Sequence, residues 1–341
     1  MSFPLIAVVG PTGSGKSNLA LELARRFSGE IISCDSVQIY KDFNIGTAKL
    51  TRPQQQQIPH HLIDLIEPDH LFTAGDYGRL GRKVLREIIR RNRLPIIAGG
   101  TGLYLKALLE GLFEGPQRSE TLRERFRNLA ALKGPAHLHR LLRKVDPTSA
   151  LRISPQDQPK LIRAIEVFFL TARPLSQHLR GGRDPLKGFK ILKIGLSPPR
   201  EALYQAIDLR VEHMFHAGLI QEVQSLLSRG YSPELKPFRS LGYIQTIAHL
   251  RGELSLEEAI STIQRETRRY AKRQLTWFRK EKEVRWFNSF GSDTRLVSSV
   301  FHEAENFFKT TNQQAERRQS FRSFERNRRD KGGHEIRTNG K

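Results

Sequence analysis

The chain has 341 residues, enough for two domains or for one large domain with an insertion, and its 38% apolar content supports a sizeable core. Against 35 acidic residues stand 57 lysines and arginines, and the net charge of +22 points to a polyanionic partner, nucleic acid first. A single cysteine, Cys34, excludes an internal disulfide and a cysteine-rich zinc site, and no apolar run is long enough to cross a bilayer.

In chain order, the apolar runs Leu5–Val9, Glu30–Ser33 and Leu94–Gly99 alternate with helical stretches at Asn18–Phe27 and Tyr77–Asn92. That alternation predicts an α/β fold, a parallel sheet flanked by helices with functional loops at the strands' C-terminal ends, and the GPTGSGKS that follows the first strand makes it P-loop NTPase-like. The first strand starts by about residue 5, leaving no room for a signal or transit peptide, so a cytoplasmic and bacterial protein is expected.

A charged helical interval, Ser119–His178, precedes the next strand, Phe189–Leu196, and reads as an all-helical insertion domain over 115–188. The core then comprises 1–114 and 189–309. Its C-terminal part is helical: one helix over Arg200–Phe215, a second from Leu219 closed by Gly230, and a long third opened by Ser255 and Glu258 as a capping box. Val284–Phe287 reads as a last short strand. The segment 310–341 is basic, polar and aperiodic, and is expected to be disordered.

The motif GPTGSGKS follows the first strand and opens the first helix, matching G-x-x-x-x-G-K-S at Gly10, Gly15, Lys16 and Ser17. Such a loop curls its amides around phosphate oxygens at a helix N-terminus, so Gly10, Thr12, Gly13, Ser14, Gly15, Lys16 and Ser17 are the expected diphosphate-binding residues. Lys16 would neutralise the terminal phosphate and Ser17 would ligate Mg²⁺. A nucleotide hydrolase usually carries a carboxylate at the end of a later strand. Here Leu94–Gly100 runs into Thr101 instead. The nearest acid is Asp35, just past the second strand, and two roles are open to it: holding metal, or taking a proton from a nucleophile beside the phosphates. An aspartate at that place also serves as a helix cap.

Five further segments narrow the choice: Asp35–Lys49, Pro59–Asp64, Ala98–Gly111, Arg163–Phe168 and Ala271–Lys280. In that order around the phosphate loop, they resemble bacterial tRNA dimethylallyltransferases, the tRNA isopentenyltransferase family, from about Pro4 to about Phe287. The resemblance implies that the loop holds dimethylallyl diphosphate and that its prenyl group passes to N6 of adenine 37, beside the anticodon, in tRNAs reading codons that begin with U.

It further implies Asp35 as the base, Thr101 at the reacting centre, and Arg210 with Lys16 as cations for the leaving diphosphate. Without the resemblance, Arg210 reads as a solvated helix residue. The implied tRNA contacts, to the anticodon stem-loop, are Asp35, Ser36, Val37 and Gln38, then Pro159, Lys160, Leu161, Ile162 and Arg163, then Arg239, Gly242 and Tyr243, and last Lys272, Arg273, Gln274 and Arg279. Arg268 and Arg269 join the cations of this last helix, whose other face carries Tyr270, Trp277 and Phe278. Phe43 and Tyr104 have the spacing of core residues. No C-terminal Cys/His pair suggests a zinc finger, and His60–His61 and His137/His139 lack carboxylate company in the sequence.

The expected protein is therefore a monomeric, Mg²⁺-using tRNA prenyltransferase with no membrane partner. Its rivals are a P-loop small-molecule kinase, a prenyltransferase acting on free adenine nucleotides, and an RNA-binding protein with a relic loop.

Overall fold

A computed structural model of the chain describes residues 2–311 and 313. The chain divides into two compact units, Met1–Leu108 with Lys187–Lys341, and Leu109–Leu186.

The first unit is built on β1 (Phe3–Val9), α1 (Lys16–Arg26), β2 (Gly29–Ser33), α2 (Arg52–Gln57), β3 (His60–His61), α3 (Ala74–Arg90), β4 (Leu94–Ala98) and α4 (Gly102–Leu109). The second unit holds α5 (Glu120–Lys133), α6 (Pro135–Val145), α7 (Pro147–Ala150), α8 (Gln158–Thr171) and α9 (Leu175–Arg180). The chain then returns to the first unit with β5 (Phe189–Leu196), α10 (Arg200–His216), α11 (Leu219–Ser228), α12 (Tyr243–Leu250), α13 (Leu256–Phe278) and β6 (Val284–Phe287). A last helix, α14, covers 294–311.

The six strands form one parallel sheet in the order β3-β2-β4-β1-β5-β6. A parallel sheet is covered on both faces, which is why β1, β2 and β4 are near-continuous apolar runs and almost wholly buried. One layer of that cover packs Leu19, Ala20 and Leu23 of α1 with Leu296, Val300, Ala304 and Phe307 of α14 against the sheet. Helix α14 is thus a core element that the sequence reading did not resolve. The capping box at Ser255 and Glu258 is present, and Gly230 has the positive φ of 86° suited to a helix end. The basic segment 310–341 lies outside the described residues except at its start.

Strand β3 was not foreseen, and it corrects the reading of its histidines. His61 Nε2 lies 2.7 Å from the Glu30 carboxylate, which also takes two hydrogen bonds from Arg91. Carboxylate company absent from the local sequence arrives from the neighbouring strand. Burial alone would raise the Glu30 pKa, but the hydrogen bonds from Arg91 and His61 prevail and hold it below the usual range.

The helical unit begins at Leu109, earlier than the composition suggests, because its entering and leaving chains pair there. Leu186 N donates to Leu109 O at 2.8 Å, and Arg183 pairs with Glu110 at 2.5 Å. Its core gathers Phe126, Leu138, Leu142, Leu161, Ile162 and Ile165. Among these apolar side chains lies Glu166, fully buried, which accepts from Ser119 N (2.8 Å), Arg123 (2.9 Å) and Arg163 (2.6 Å). Burial pushes its pKa up, and the two arginines more than reverse that push.

Removing a buried carboxylate leaves two guanidiniums uncompensated, so Glu166→Ala should destabilise the protein by about 3–5 kcal/mol in denaturant titration. A depressed folded pKa contributes stability above the unfolded value of about 4.3 and loses it as pH falls through the folded value. Acid unfolding followed by circular dichroism should therefore show a loss below about pH 4 that the variant reduces.

Candidate active site

Strands β2, β4 and β1 are direct neighbours, so the loops that follow them emerge side by side at one sheet edge. Those loops carry Asp35, Thr101 and the phosphate motif, far apart in the chain.

The phosphate loop runs from Gly10 to α1. Gly15 caps the helix with φ 82°, a left-handed conformation, and a Cβ there would come within 2.8 Å of Gly291 N. Gly291 N in turn donates to Ser14 O at 2.9 Å, so the segment before α14 braces the loop. Ser14 is buried with its hydroxyl on Pro11 O. Among the described residues, the amides of Gly13, Gly15, Lys16 and Ser17 have no protein acceptor, and they form the concave nest a phosphate needs. The amide of Thr12 is different: it donates to Gln274 Oε1 at 2.8 Å, so only the Thr12 side chain is available to a ligand.

Lys16 Nζ donates to Pro11 O at 2.6 Å. Desolvation first, and then the nearby Arg210 charge, bring its pKa down to about 7, with Asp35 partly opposing them. Arg210, on α10, is not a solvated-face residue. Enclosure lowers its pKa below the ordinary value, Asp35 opposes that shift, and its Nη2 donates to Thr47 O at 3.2 Å. Two cations and one carboxylate are thus held within mutual electrostatic reach.

Asp35 uses Oδ1 to accept from Val37 N (2.8 Å) and Gln38 N (3.1 Å). No helix follows, so this is an aspartate-stabilised turn over 36–39 and not the helix cap foreseen as an alternative; it engages one oxygen only, and among the described residues no donor reaches Oδ2. Thr101 Oγ1 accepts from Ser36 N at 3.2 Å while Thr101 N donates to Cys34 O at 3.1 Å. The Thr101 hydroxyl therefore links two loops rather than capping α4. Gln38 donates to Thr47 O, the acceptor that Arg210 also uses. Cys34, beside them, is buried and its thiol is pushed up to about 12, too high for a nucleophile.

Helix α13 lies directly on this site. Gln274 Nε2 donates to Gly100 O at 3.0 Å, completing a bridge from Thr12 to Gly100. A Cβ on Gly100 would overlap Gln274, and one on Gly102 would overlap the Trp277 indole. Tyr270, beneath Arg273 at 5.7 Å, has its pKa pushed up to about 12, by burial first and then by Asp35.

The cations of α13 divide in two. Arg268 is committed to Asp208 on α10, and Arg265 and Arg269 to Glu266. Lys272, Arg273 and Arg279 are exposed, with no carboxylate partner among the described residues. Trp277 is 40% exposed, whereas Phe278 is buried.

Gln274 and Tyr243 are buried. Gly242, with φ 93°, precedes α12, and Arg239 pairs with Glu234 at 3.0 Å. In the helical unit, Pro159 and Lys160 are exposed, Leu161 and Ile162 are core, and Arg163 is held by Glu166 and Pro116 O. Phe43 and Tyr104 are both core residues. Among the described residues no cluster of three or more His, Cys, Asp or Glu could hold a metal, and no helix is long and apolar enough to cross a membrane.

Comparison with known proteins identifies a family. A family model described as IPP transferase matches residues 38–281, and one described as isopentenyl transferase matches residues 3–66. The tRNA dimethylallyltransferase of Solibacter usitatus is 52% identical over 304 residues, covering 89% of this chain and 99% of that protein. The crystal structure of full-length tRNA isopentenylpyrophosphate transferase from Bacillus halodurans matches with TM-score 0.68 and 36% identity, over 92% of this chain and 99% of that one. A eukaryotic dimethylallyltransferase acting on tRNA matches with TM-score 0.77 and 26% identity, over 91% and 80% of the two chains. A parallel sheet with an intact phosphate loop, an aspartate and a threonine on adjoining strand ends, and these matches along most of its length lead to one assignment: the chain belongs to the IPP transferase family and is a prenyltransferase enzyme.

Proposed function

We propose that the enzyme transfers the dimethylallyl group of dimethylallyl diphosphate to N6 of adenine 37 in tRNAs reading codons that begin with U, releasing diphosphate. The observation that carries this reading is the packing of α13 on the Thr101 turn. It sets three cations that have no carboxylate partner among the described residues, suited to an RNA backbone, beside a loop suited to a diphosphate.

The adenine amine is a weak nucleophile because its lone pair is delocalised into the ring. The reaction relies on carbocation character at C1 of the prenyl group, which develops as the C1–O bond breaks and the electron pair leaves with diphosphate. Lys16, Arg210 and the free loop amides stabilise that negative charge from fixed positions. The N6–C1 bond forms and the N6 proton passes to Asp35, whose Oδ2 is unengaged while Oδ1 is locked by two amides. Thr101, held by Ser36 N, keeps its hydroxyl proton for the reacting centre. An adenine within an anticodon loop must leave its stack to reach this site, at a cost of a few kcal/mol.

The exposed Ser17 hydroxyl, in the first turn of α1, is a hard oxygen donor of the kind Mg²⁺ takes alongside phosphate oxygens. Bound there, the ion would add charge neutralisation to the departing diphosphate. The tRNA substrate supports action in the cytoplasm.

The direct test supplies labelled dimethylallyl diphosphate, Mg²⁺ and unmodified tRNA to the purified protein. Label should enter tRNA, whereas consumption of ATP without transfer would favour a small-molecule kinase, and transfer to free adenosine phosphates a nucleotide prenyltransferase. Asp35→Ala should lower turnover about 10²- to 10⁴-fold and leave tRNA binding nearly intact. Replacing both Lys272 and Arg273 by alanine should weaken tRNA binding and reduce the magnitude of its log–log salt slope by about 1.5 to 2. Because Lys16 has a pKa of about 7 and a bound polyanion favours its charged form, dimethylallyl diphosphate binding should take up a proton above pH 7. Calorimetry in buffers of different ionisation enthalpy reads this uptake, and Lys16→Met should abolish it.

A further inference from the structure

Glu222, on α11, lies outside the phosphate loop and the five family-like segments, yet its carboxylate is the most heavily used acceptor near the site. Oε2 accepts from Asn44 N (3.1 Å) and Ile45 N (2.8 Å), and Oε1 from Gly46 N (3.3 Å) and the Tyr243 hydroxyl (2.5 Å). Three successive amides converging on one carboxylate form an anion nest, filled here by the protein's own side chain.

The loop held in this way is the one that ends at Thr47 and Lys49. Its Thr47 carbonyl accepts from both Gln38 (3.1 Å) and Arg210 (3.2 Å). Beneath it, Tyr243 and Phe43 pack with ring centroids 4.7 Å apart, and Phe43 and Phe238 with centroids 5.0 Å apart. A Cβ on Gly46 would overlap the Tyr243 ring, so the backbone lies flat on that aromatic face. Tyr243 is fully buried and its hydroxyl faces Glu222. A tRNA-contact role for this side chain, implied by the resemblance, has no surface to act from.

We propose that Glu222, with Tyr243, is a positioning residue. By clamping the amides of Asn44–Gly46 it sets the Thr47 carbonyl, and through that carbonyl it aims the Arg210 guanidinium at the leaving diphosphate. The inference rests on the reading of Arg210 as a diphosphate cation. Glu222→Gln replaces one acceptor oxygen by an NH₂ group facing backbone donors, which opens the nest without changing side-chain size.

The test compares wild type, Glu222→Gln and Tyr243→Phe, and measures inorganic pyrophosphate affinity, tRNA affinity and turnover. Glu222→Gln should weaken pyrophosphate binding and lower kcat about 10- to 100-fold, the scale of a small misplacement of a catalytic group, with the tRNA Kd within about twofold of wild type. Tyr243→Phe, which loses only a hydroxyl, should move the same two quantities in the same direction by a smaller factor and decides the matter if Glu222→Gln does not fold. Unchanged pyrophosphate affinity and kcat in a folded variant, or loss of tRNA affinity with kcat retained, would overturn the proposal. Pyrophosphate binding is read without any transfer reaction. A wild type that transfers no label to tRNA but whose pyrophosphate affinity depends on Glu222 would refute the assigned reaction and leave the clamp standing.

Discussion

One buried amide organises the catalytic unit. Gln274 accepts from Thr12 N and donates to Gly100 O, bonds that span 262 and 174 residues of sequence. A neutral side chain that carries both a donor NH₂ and an acceptor oxygen is suited to this place, because it satisfies a backbone amide and a backbone carbonyl that burial would otherwise leave unpaired. The consequence reaches beyond local satisfaction. The helix that bears Lys272 and Arg273 and ends at Arg279, cations with no carboxylate partner among the described residues, cannot move without moving the phosphate loop and the Thr101 turn. An RNA on that helix and a diphosphate in that loop therefore share one rigid frame.

Electrostatics inside the frame are set against the apo state. Lys16 and Arg210 repel each other in an enclosed site, and Asp35 offsets only part of that repulsion. A polyanion relieves it. Cations held in place before the anion arrives need no reorganisation as charge develops on a leaving group. The lacing of Asp35, Ser36 and Thr101 serves the same end, since it locks one carboxylate oxygen and leaves the other for a proton.

Much of this site could be read from residues alone, for a physical reason. The phosphate loop, Asp35 and Thr101 follow strands of a parallel sheet, and neighbouring parallel strands present their C-terminal loops at one edge. Motif and topology were sufficient for the phosphate loop and for the place of Asp35, whereas the roles given to Asp35 and Thr101 came from the resemblance. Arg210 was less accessible: on helical spacing it reads as a surface residue, and only the resemblance pointed to it. Residues whose role depends on a distant partner were misread or missed. Gln274 and Tyr243 sit in segments read as RNA contacts but are buried. Arg268 looks like a free cation until Asp208 meets it from α10. His61 meets Glu30 only because β3 pairs with β2, and Glu222 carries no local signal at all.

The sequence by itself determined the fold class, the phosphate loop, the strand-end carboxylate and the excess of positive charge. These follow from local periodicity, short-range motifs and composition, none of which requires knowing what lies across the chain. Only the tertiary structure decided which basic residues remain unpaired, which polar side chains became internal struts, and how Glu222 and Gln274 hold the loops that surround the reacting atoms. Most of those outcomes depend on the desolvation and pairing of groups distant in sequence, from Arg268 with Asp208 at 60 residues to Ile45 with Glu222 at 177 and Thr12 with Gln274 at 262, and close approach is what settles them.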